Sequence, residues 1–166
     1  CVVEPQSTGI GGDCFCLYSP KGGDVVAYNG SGRAPAAATT EWYLENGITT
    51  IERQTPHSVT IPGAVDAWAR LTEDHGTMSL EDLLQPAIRF ARDGYPIGHR
   101  TQTDWELNVG LLSADPTAAK SYLKDGKAPG LGSLVKLPLL AKSLLTIAEK
   151  GRAGFYEGAL AEDMVT

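Results

Sequence analysis

The spacing of apolar residues changes character about a third of the way along the chain. Before that point, short β-prone runs alternate with polar and Gly-rich stretches, which predicts strands over Cys14–Tyr18 and Asp24–Tyr28 joined as a hairpin. Asn29-Gly30 predicts a break after the second strand. The sequence therefore indicates a β-rich segment over residues 1–60 and a mainly helical one over residues 61–166, with no separate second domain.

In the second segment, apolar residues recur at helical spacing. One helix is predicted to start after Gly63 and to end before Gly76. Another is predicted to start at a capping box that begins with Ser79 and to end before Gly94. Pro86 lies inside this second pattern, so we expect a kink there or two abutting helices.

The last part of the chain predicts further helices. We expect a helical piece near Thr103–Leu112, a loop around Lys127–Gly132, and a helix that starts with Pro138 and ends at Gly151. Leu160–Thr166 is helix-like and has no stop signal, and the chain opens without a Met. We therefore expect the chain to be a fragment of a longer polypeptide.

Composition argues against several classes of function. The 166 residues are 42% hydrophobic, which is typical of a globular protein. The net charge is -6 and no block of Lys and Arg occurs, so a nucleic-acid partner is not expected. No apolar run approaches the length of a membrane span, so no membrane segment is expected in this chain.

The cysteines and histidines do not have the spacing of a metal site or a disulfide framework. Cys14 and Cys16 alternate on one face of a predicted strand, Cys1 lies far away in sequence, and no C-x-x-C occurs. Buried free thiols are the expected state of these residues. The three histidines are dispersed without a second ligand at helical or turn spacing, so no metal is expected.

Gly9, Gly11 and Gly12 form a dense glycine run before the first strand. Such a run lets the backbone lie where a Cβ would clash. It lacks the last glycine of G-x-G-x-x-G, a strand rather than a helix follows it, and Asp13 stands where a P-loop has Lys. Nucleotide binding is therefore not expected, and no cofactor is predicted.

A Ser/His/Asp set has no positive signal in the sequence. His57 and Ser58 are adjacent, but neighbours along a strand point to opposite faces, and no G-x-S-x-G occurs. Because the members of a triad need not be close in sequence, the chain order alone does not exclude one.

Five blocks, in order and over nearly the whole chain, resemble the large subunit of the gamma-glutamyltranspeptidase family. They are Val2–Asp13, Ala34–Thr39, Ser58–Val65, Leu84–Ile97 and Phe155–Gly158. The resemblance implies an α+β fold, as part of the αββα four-layer sandwich of N-terminal-nucleophile hydrolases. The glycine run would then pack near the active site of such an enzyme.

The resemblance also implies a chemistry. Members of this family cleave themselves, and the new N-terminal Thr of the small subunit attacks a γ-glutamyl amide of the glutathione type to form an acyl-enzyme. That Thr lies beyond the matching part of the family, and Thr166, the last residue here, is not it. The chain is therefore expected to hold no catalytic nucleophile, to be inactive alone, and to need the rest of its polypeptide, including the Thr-bearing small subunit, as partner.

Substrate binding is where the sequence departs from the family pattern. The family's D-x-R-E-x-A-P, whose Arg pairs with the substrate's α-carboxylate, reads here as Asn29–Pro35, with Ser31 in the Arg position. An Arg follows two places later at Arg33, and a two-residue step in an extended segment returns to the same face about 6.6 Å further on. Ser31 and Arg33 are therefore the candidate substrate-binding residues, although Arg33 equally fits a structural salt bridge.

Three functions remain open from the sequence. The first is γ-glutamyl transfer or hydrolysis with Arg33 as the carboxylate-binding residue. The second is an amidase or acylase of the same fold, similar to cephalosporin acylases, that does not require a γ-glutamyl donor. The third is a non-catalytic binding module, which a missing downstream Thr would favour.

Overall fold

The structure is a computed structural model that describes residues 1–165. Thr166, the last residue of the predicted helix-like end, lies outside the described residues. The strands are β1 (Cys14–Tyr18), β2 (Val26–Gly30), β3 (Tyr95–Pro96) and β4 (Leu134–Val135). The helices are α1 (Thr40–Glu45), α2 (Ala64–His75), α3 (Leu80–Asp93), α4 (His99–Leu107), α5 (Val109–Ala114), α6 (Pro116–Tyr122), α7 (Pro138–Lys150), α8 (Ala153–Tyr156) and α9 (Ala159–Met164).

The described chain divides into two compact units. The hairpin unit comprises residues 10–75, and the helical unit comprises residues 1–9 together with residues 76–165. In the hairpin unit, β1 and β2 form an antiparallel pair next to α2. In the helical unit, α3 packs along α7, and α7 also packs against α8.

The hairpin confirms β1 and corrects β2. The second strand is Val26–Gly30, two residues later than predicted, so Asn29-Gly30 lies inside the strand instead of breaking it. Gly30 pairs with Cys14, and a Cβ at Gly30 would lie 2.5 Å from the Cys14 carbonyl oxygen and 2.8 Å from the Ala67 Cβ. The glycine therefore allows the end of the strand to lie against β1 and α2, and it is buried there.

The start and end of α3 follow their predicted signals. The Ser79 hydroxyl accepts the backbone N–H of Asp82 at 3.0 Å and donates to Asp82 Oδ2 at 2.7 Å. Gly94, with a φ of 104°, ends the helix. The predicted split into two abutting helices at Pro86 is wrong, because α3 is continuous from Leu80 to Asp93. Apolar residues on both sides of Pro86 are buried, and this burial offsets the one backbone donor that proline lacks.

The start and end of α7 are also as predicted. The helix has Pro138 in its first turn and ends at Gly151, which has a φ of 61°. Its buried face carries Leu144 and Ile147, which are 1% and 0% exposed. The end of α3 is tied to the start of α7 by a hydrogen bond from the Leu137 N–H to the Ala91 carbonyl, 2.8 Å long.

The helix predicted near Thr103–Leu112 is two helices, α4 and α5. They are separated at Asn108, whose side-chain amide donates to the carbonyl of Asp104 at 2.7 Å. This side-chain hydrogen bond satisfies a carbonyl in the last turn of α4 and stabilises the end of the helix. Helical periodicity continues across Asn108, so periodicity alone did not reveal the break.

Candidate functional site

Two of the sequence blocks, Val2–Asp13 and Ser58–Val65, meet in the hairpin unit through their backbones. The carbonyl oxygen of Gly12 accepts the N–H groups of Gly63 and Ala64, at 3.1 and 2.9 Å. These N–H groups belong to the start of α2, where helical donors have no partner within the helix. The residue that ends the glycine run therefore supplies an acceptor to the N-terminus of α2.

The segment that carries the candidate substrate-binding residues is held by hydrogen bonds on both sides. The Gly32 N–H donates to Asp13 Oδ1 at 3.0 Å, and the Arg33 carbonyl accepts the Ile61 N–H at 2.9 Å. The Ser31 N–H donates to the side-chain oxygen of Asn29, also at 3.0 Å. Together these bonds fix the backbone from which the Arg33 side chain extends.

Glycines permit this close approach of three segments. A Cβ added at Gly32 would overlap the Ile61 carbonyl oxygen, and one at Gly63 would overlap the Gly30 carbonyl oxygen. We call Gly30, Gly32 and Gly63 the glycine junction. A side chain at any of these positions would force the backbones apart.

The glycine junction lies outside the glycine run, which is the stretch that was expected to have a packing role. At Gly11, an added Cβ meets nothing within 4 Å, so packing at that position does not require a glycine. Sequence reasoning did not identify Gly30 and Gly32 as contact residues and interpreted Gly63 only as part of a helix start. The sequence feature that could have identified these contact residues is the presence of glycine in two further short stretches, Gly30-Ser31-Gly32 and Pro62-Gly63.

Ser31 and Arg33 both lie directly after β2, in a stretch that is neither helix nor strand, and both are exposed. Within residues 1–165, no carboxylate lies within ion-pairing distance of the Arg33 guanidinium, and no side-chain hydrogen bond engages it. By contrast, Arg70 in the same unit pairs with Asp66 at 2.9 Å. The structural salt bridge considered for Arg33 therefore has no partner in the described part of the chain.

His57 and Ser58 lie in a 3₁₀ turn over Pro56–Ser58, so the strand assumed for them is wrong. The Ser58 hydroxyl donates to the Thr55 carbonyl at 2.8 Å, which satisfies it locally. The His57 ring instead packs at 5.5 Å from the ring of Tyr43. The two side chains therefore have separate local partners.

Within residues 1–165, the cysteines are unpaired and the possible metal ligands do not cluster. Cys1, Cys14 and Cys16 are free thiols, and burial, with a smaller effect of Cys16, raises the pKa of Cys14. In the described residues, no three His, Cys, Asp or Glu side chains come together as metal ligands. None of the helices in residues 1–165 combines the length and apolar character needed to cross a bilayer.

Comparison with known proteins finds one matching family model and several similar sequences. A family model described as Gamma-glutamyltranspeptidase matches residues 1–166. The chain is 39% identical over 166 residues to the glutathione hydrolase-like YwrD proenzyme of Bacillus subtilis, covering 99% of this chain and 31% of that protein. It is 35% identical over 167 residues to the oxamate amidohydrolase proenzyme of Klebsiella pneumoniae, covering 97% of this chain and 31% of that protein.

The structure also superposes on a solved enzyme. It matches the crystal structure of cephalosporin acylase from Bacillus halodurans with a TM-score of 0.90 and 34% identity, covering 98% of this chain and 32% of that chain. The chain thus spans about a third of the length of each of these three proteins.

Proposed function

This chain belongs to the gamma-glutamyltranspeptidase family, and we propose that it is part of the large subunit of an enzyme that transfers or hydrolyses γ-glutamyl groups. Its fold is α+β and forms part of the fold of N-terminal-nucleophile hydrolases. The observation that carries the proposal is the exposed Arg33 guanidinium, which has no ion-pair partner in residues 1–165 and extends from a fixed backbone.

The nucleophile of the proposed enzyme is an N-terminal Thr outside this chain. Its α-amine, with an ordinary pKa of about 7.7–8.0, accepts the hydroxyl proton as the oxygen attacks the amide carbonyl. The C–N bond then breaks, the amine leaves with the proton, and an acyl-enzyme ester remains. Water or an acceptor amine takes the acyl group and restores the Thr. The word proenzyme in the names of two relatives supports the self-cleavage that creates such a terminus.

Arg33 is proposed to bind the α-carboxylate of the substrate. A guanidinium donates two parallel hydrogen bonds to a carboxylate. This pairing orients the acyl group and compensates the negative charge of the carboxylate. Hydrogen bonds at Gly32 and Arg33 hold the backbone, so less conformational freedom is lost on binding. Ser31 contributes its hydroxyl from the same stretch of chain.

The obligatory partner is proposed to be the remainder of the polypeptide. On β1, Phe15 and Leu17 are 68% and 78% exposed, and they alternate with Cys14 and Cys16, which are half-buried. A two-stranded hairpin with apolar residues exposed on one face needs further packing for stability. We therefore expect the chain to be inactive alone and prone to associate.

The first test is the intact mass and N-terminal sequence of the product of the complete gene under denaturing conditions. Two chains, the smaller beginning with Thr, are the expected result. A single uncut chain would contradict self-processing and would favour the hypothesis that the protein is a non-catalytic binding module.

The second test addresses substrate recognition in the processed enzyme. Losing a charge-assisted hydrogen-bonded pair costs about 1.5–3 kcal/mol, so Arg33→Ala should lower kcat/KM for a γ-glutamyl amide about 10- to 100-fold. Arg70→Ala is the matched control, because the Arg70 guanidinium already pairs with Asp66. Equal effects of the two substitutions would exclude Arg33 as the carboxylate-binding residue.

An amidase of the same fold is the second candidate function. Ser31 stands in place of the family's Arg, and two of the matched proteins are named for other amides, an oxamate amidohydrolase and a cephalosporin acylase. If carboxylate recognition was lost with that Arg, Ser31→Arg should raise γ-glutamyl turnover. No gain from Ser31→Arg, together with a large loss from Arg33→Ala, would favour the γ-glutamyl enzyme.

A further inference from the structure

A small pocket with aromatic walls lies in the hairpin unit, between α1 and the 3₁₀ turn over Pro56–Ser58. Its volume is about 230 Å³. It is lined by Pro35, Ala37, Ala38, Trp42, Tyr43, Pro56, His57 and Val59. These side chains are mostly apolar, and neither the resemblance nor the proposed function assigns them a role.

The aromatic rings of the pocket hold one another in place. Two ring pairs meet edge to face, Trp42 with Tyr43 at 5.3 Å and Tyr43 with His57 at 5.5 Å, and the Trp42 and His57 rings lie tilted to each other at 5.8 Å. The start of α1 is fixed because the Thr39 hydroxyl accepts the Trp42 N–H at 3.1 Å. Trp42 nevertheless remains 40% exposed, so part of its surface is available for a ligand.

The pocket is close to Arg33 along the chain. Pro35 is one of its lining residues and follows Arg33 by two positions, a backbone distance of at most about 7 Å. The residue two positions before this lining Pro therefore carries a cation that has no ion-pair partner within residues 1–165. A ligand that carries both an aromatic ring and a carboxylate offers the ring to the apolar pocket and the carboxylate to the Arg33 guanidinium.

We propose that the Trp42–Tyr43–His57 pocket is a specificity subsite that binds an aromatic ring of the acyl donor while Arg33 binds its carboxylate. This inference rests on the proposed function, because it places the acyl group at Arg33. Its volume is sufficient, since an apolar cavity of about 150 Å³ already takes up benzene. Ring stacking and edge-to-face contacts favour an aromatic group over an alkyl group of similar size.

The test uses the complete protein and calorimetric titration with two probes, 3-phenylpropionate and propionate. We expect 3-phenylpropionate to bind more tightly, and Trp42→Ala to weaken its binding about tenfold while leaving the binding of propionate unchanged. Trp42→Phe, which keeps a ring, should retain most of the affinity. Arg33→Ala should weaken both probes, because both carry the carboxylate.

Two control variants separate ring recognition from general damage. Leu44→Ala removes another exposed apolar side chain of α1 that does not line the pocket, and Arg70→Ala removes a cation that pairs with Asp66. Neither should change the affinity for either probe. Equal affinity of the two probes for the wild-type protein, or equal losses from Trp42→Ala and Leu44→Ala, would overturn the proposal.

The titration and the processing test fail independently. A ring preference that depends on Trp42, in a protein that stays uncut, would support the pocket and contradict the proposed enzyme. A processed enzyme that hydrolyses γ-glutamyl amides without any ring preference would support the proposed function and contradict the pocket.

Discussion

The helical unit and the hairpin unit bury their apolar residues to different extents. In the helical unit, α3, α7 and α8 enclose Leu144, Ile147 and Phe155, which are almost completely buried. In the hairpin unit, Phe15 and Leu17 of β1 face outwards, although their neighbours in the strand are half-buried. The helical unit thus forms an apolar core from the described residues, whereas the hairpin unit leaves one face of its sheet uncovered.

The units also differ in how their elements are held together. Side-chain packing joins α3 to α7, and such packing tolerates modest changes of shape. At the glycine junction, backbones instead approach each other directly, and the hydrogen bonds there run between backbone groups, apart from the one from the Gly32 N–H to the Asp13 carboxylate. We therefore expect the helical unit to be sensitive to the loss of volume and the junction to be sensitive to its gain.

The largest expected effect is from removal of volume in the helical core. Leu144→Ala should lower the free energy of unfolding by about 2–5 kcal/mol, because the substitution removes buried apolar contacts and leaves a cavity. Chemical denaturation of the complete protein measures this change. Leu139→Ala, on an exposed position of the same helix, should change stability by less than about 0.5 kcal/mol. Similar losses from both variants would contradict the assigned core.

A gain of one methyl group at the junction should have the next largest effect. Gly32→Ala should destabilise the protein by about 3 kcal/mol, because its Cβ overlaps the carbonyl oxygen of Ile61. Gly11→Ala is the matched control, since its Cβ meets open space and should leave the denaturation midpoint almost unchanged. A Gly32→Ala protein as stable as Gly11→Ala would show that the backbones approach less closely.

The open face of the hairpin gives a prediction for the complete protein. If the rest of the polypeptide covers β1, Leu17→Ser should cost about 2 kcal/mol of stability, the value of burying one leucine side chain. If Leu17 stays exposed, as it is within this chain, the change should stay within about 0.5 kcal/mol. Denaturation of the processed protein decides between the two values, and the smaller one would contradict the proposed partner surface.

Local signals predicted much of the fold. β1, α2 and α7 follow from apolar periodicity and from turn or cap residues, since the residues that set these elements are neighbours in sequence. The end of β2 at Gly30 was not predicted, and Pro86 left open whether α3 is kinked or divided, because both features depend on packing against other elements. Intrinsic preferences at those two positions point the other way, and tertiary contacts override them.

The site was predicted only in part for the same reason. The resemblance to a family identified Ser31 and Arg33 as candidate substrate-binding residues, and this role stays a prediction. The contacts of Gly32 with Asp13 and of Arg33 with Ile61 join residues 19 and 28 positions apart, which no local pattern encodes. The Trp42–Tyr43–His57 pocket was also not predicted, because the strand assumed around His57 gave no indication of its contact with Tyr43.

The smallest expected effect concerns a buried hydroxyl in the helical unit. Within residues 1–165, the Tyr95 hydroxyl oxygen is buried and has no hydrogen-bond partner. An unsatisfied buried polar group disfavours the folded state, so Tyr95→Phe should raise the stability at neutral pH by about 1 kcal/mol. Thermal or chemical denaturation of the complete protein measures this gain. A clear loss of stability would mean that the hydroxyl has a partner in the whole protein.

The same residue predicts a pH dependence whose sign follows from linkage. Burial, with a smaller contribution from Tyr122, raises the pKa of Tyr95 from 10.0 to about 12. Above pH 10 the unfolded chain loses this phenolic proton while the folded chain keeps it, so stability falls as the pH rises from 10 to 12. Because phenylalanine has no such proton, Tyr95→Phe should fall less steeply over that range. The part of the fall that remains belongs to other groups, among them Tyr122, whose pKa burial also raises. Parallel curves for the two proteins would show that Tyr95 titrates alike in the folded and unfolded states.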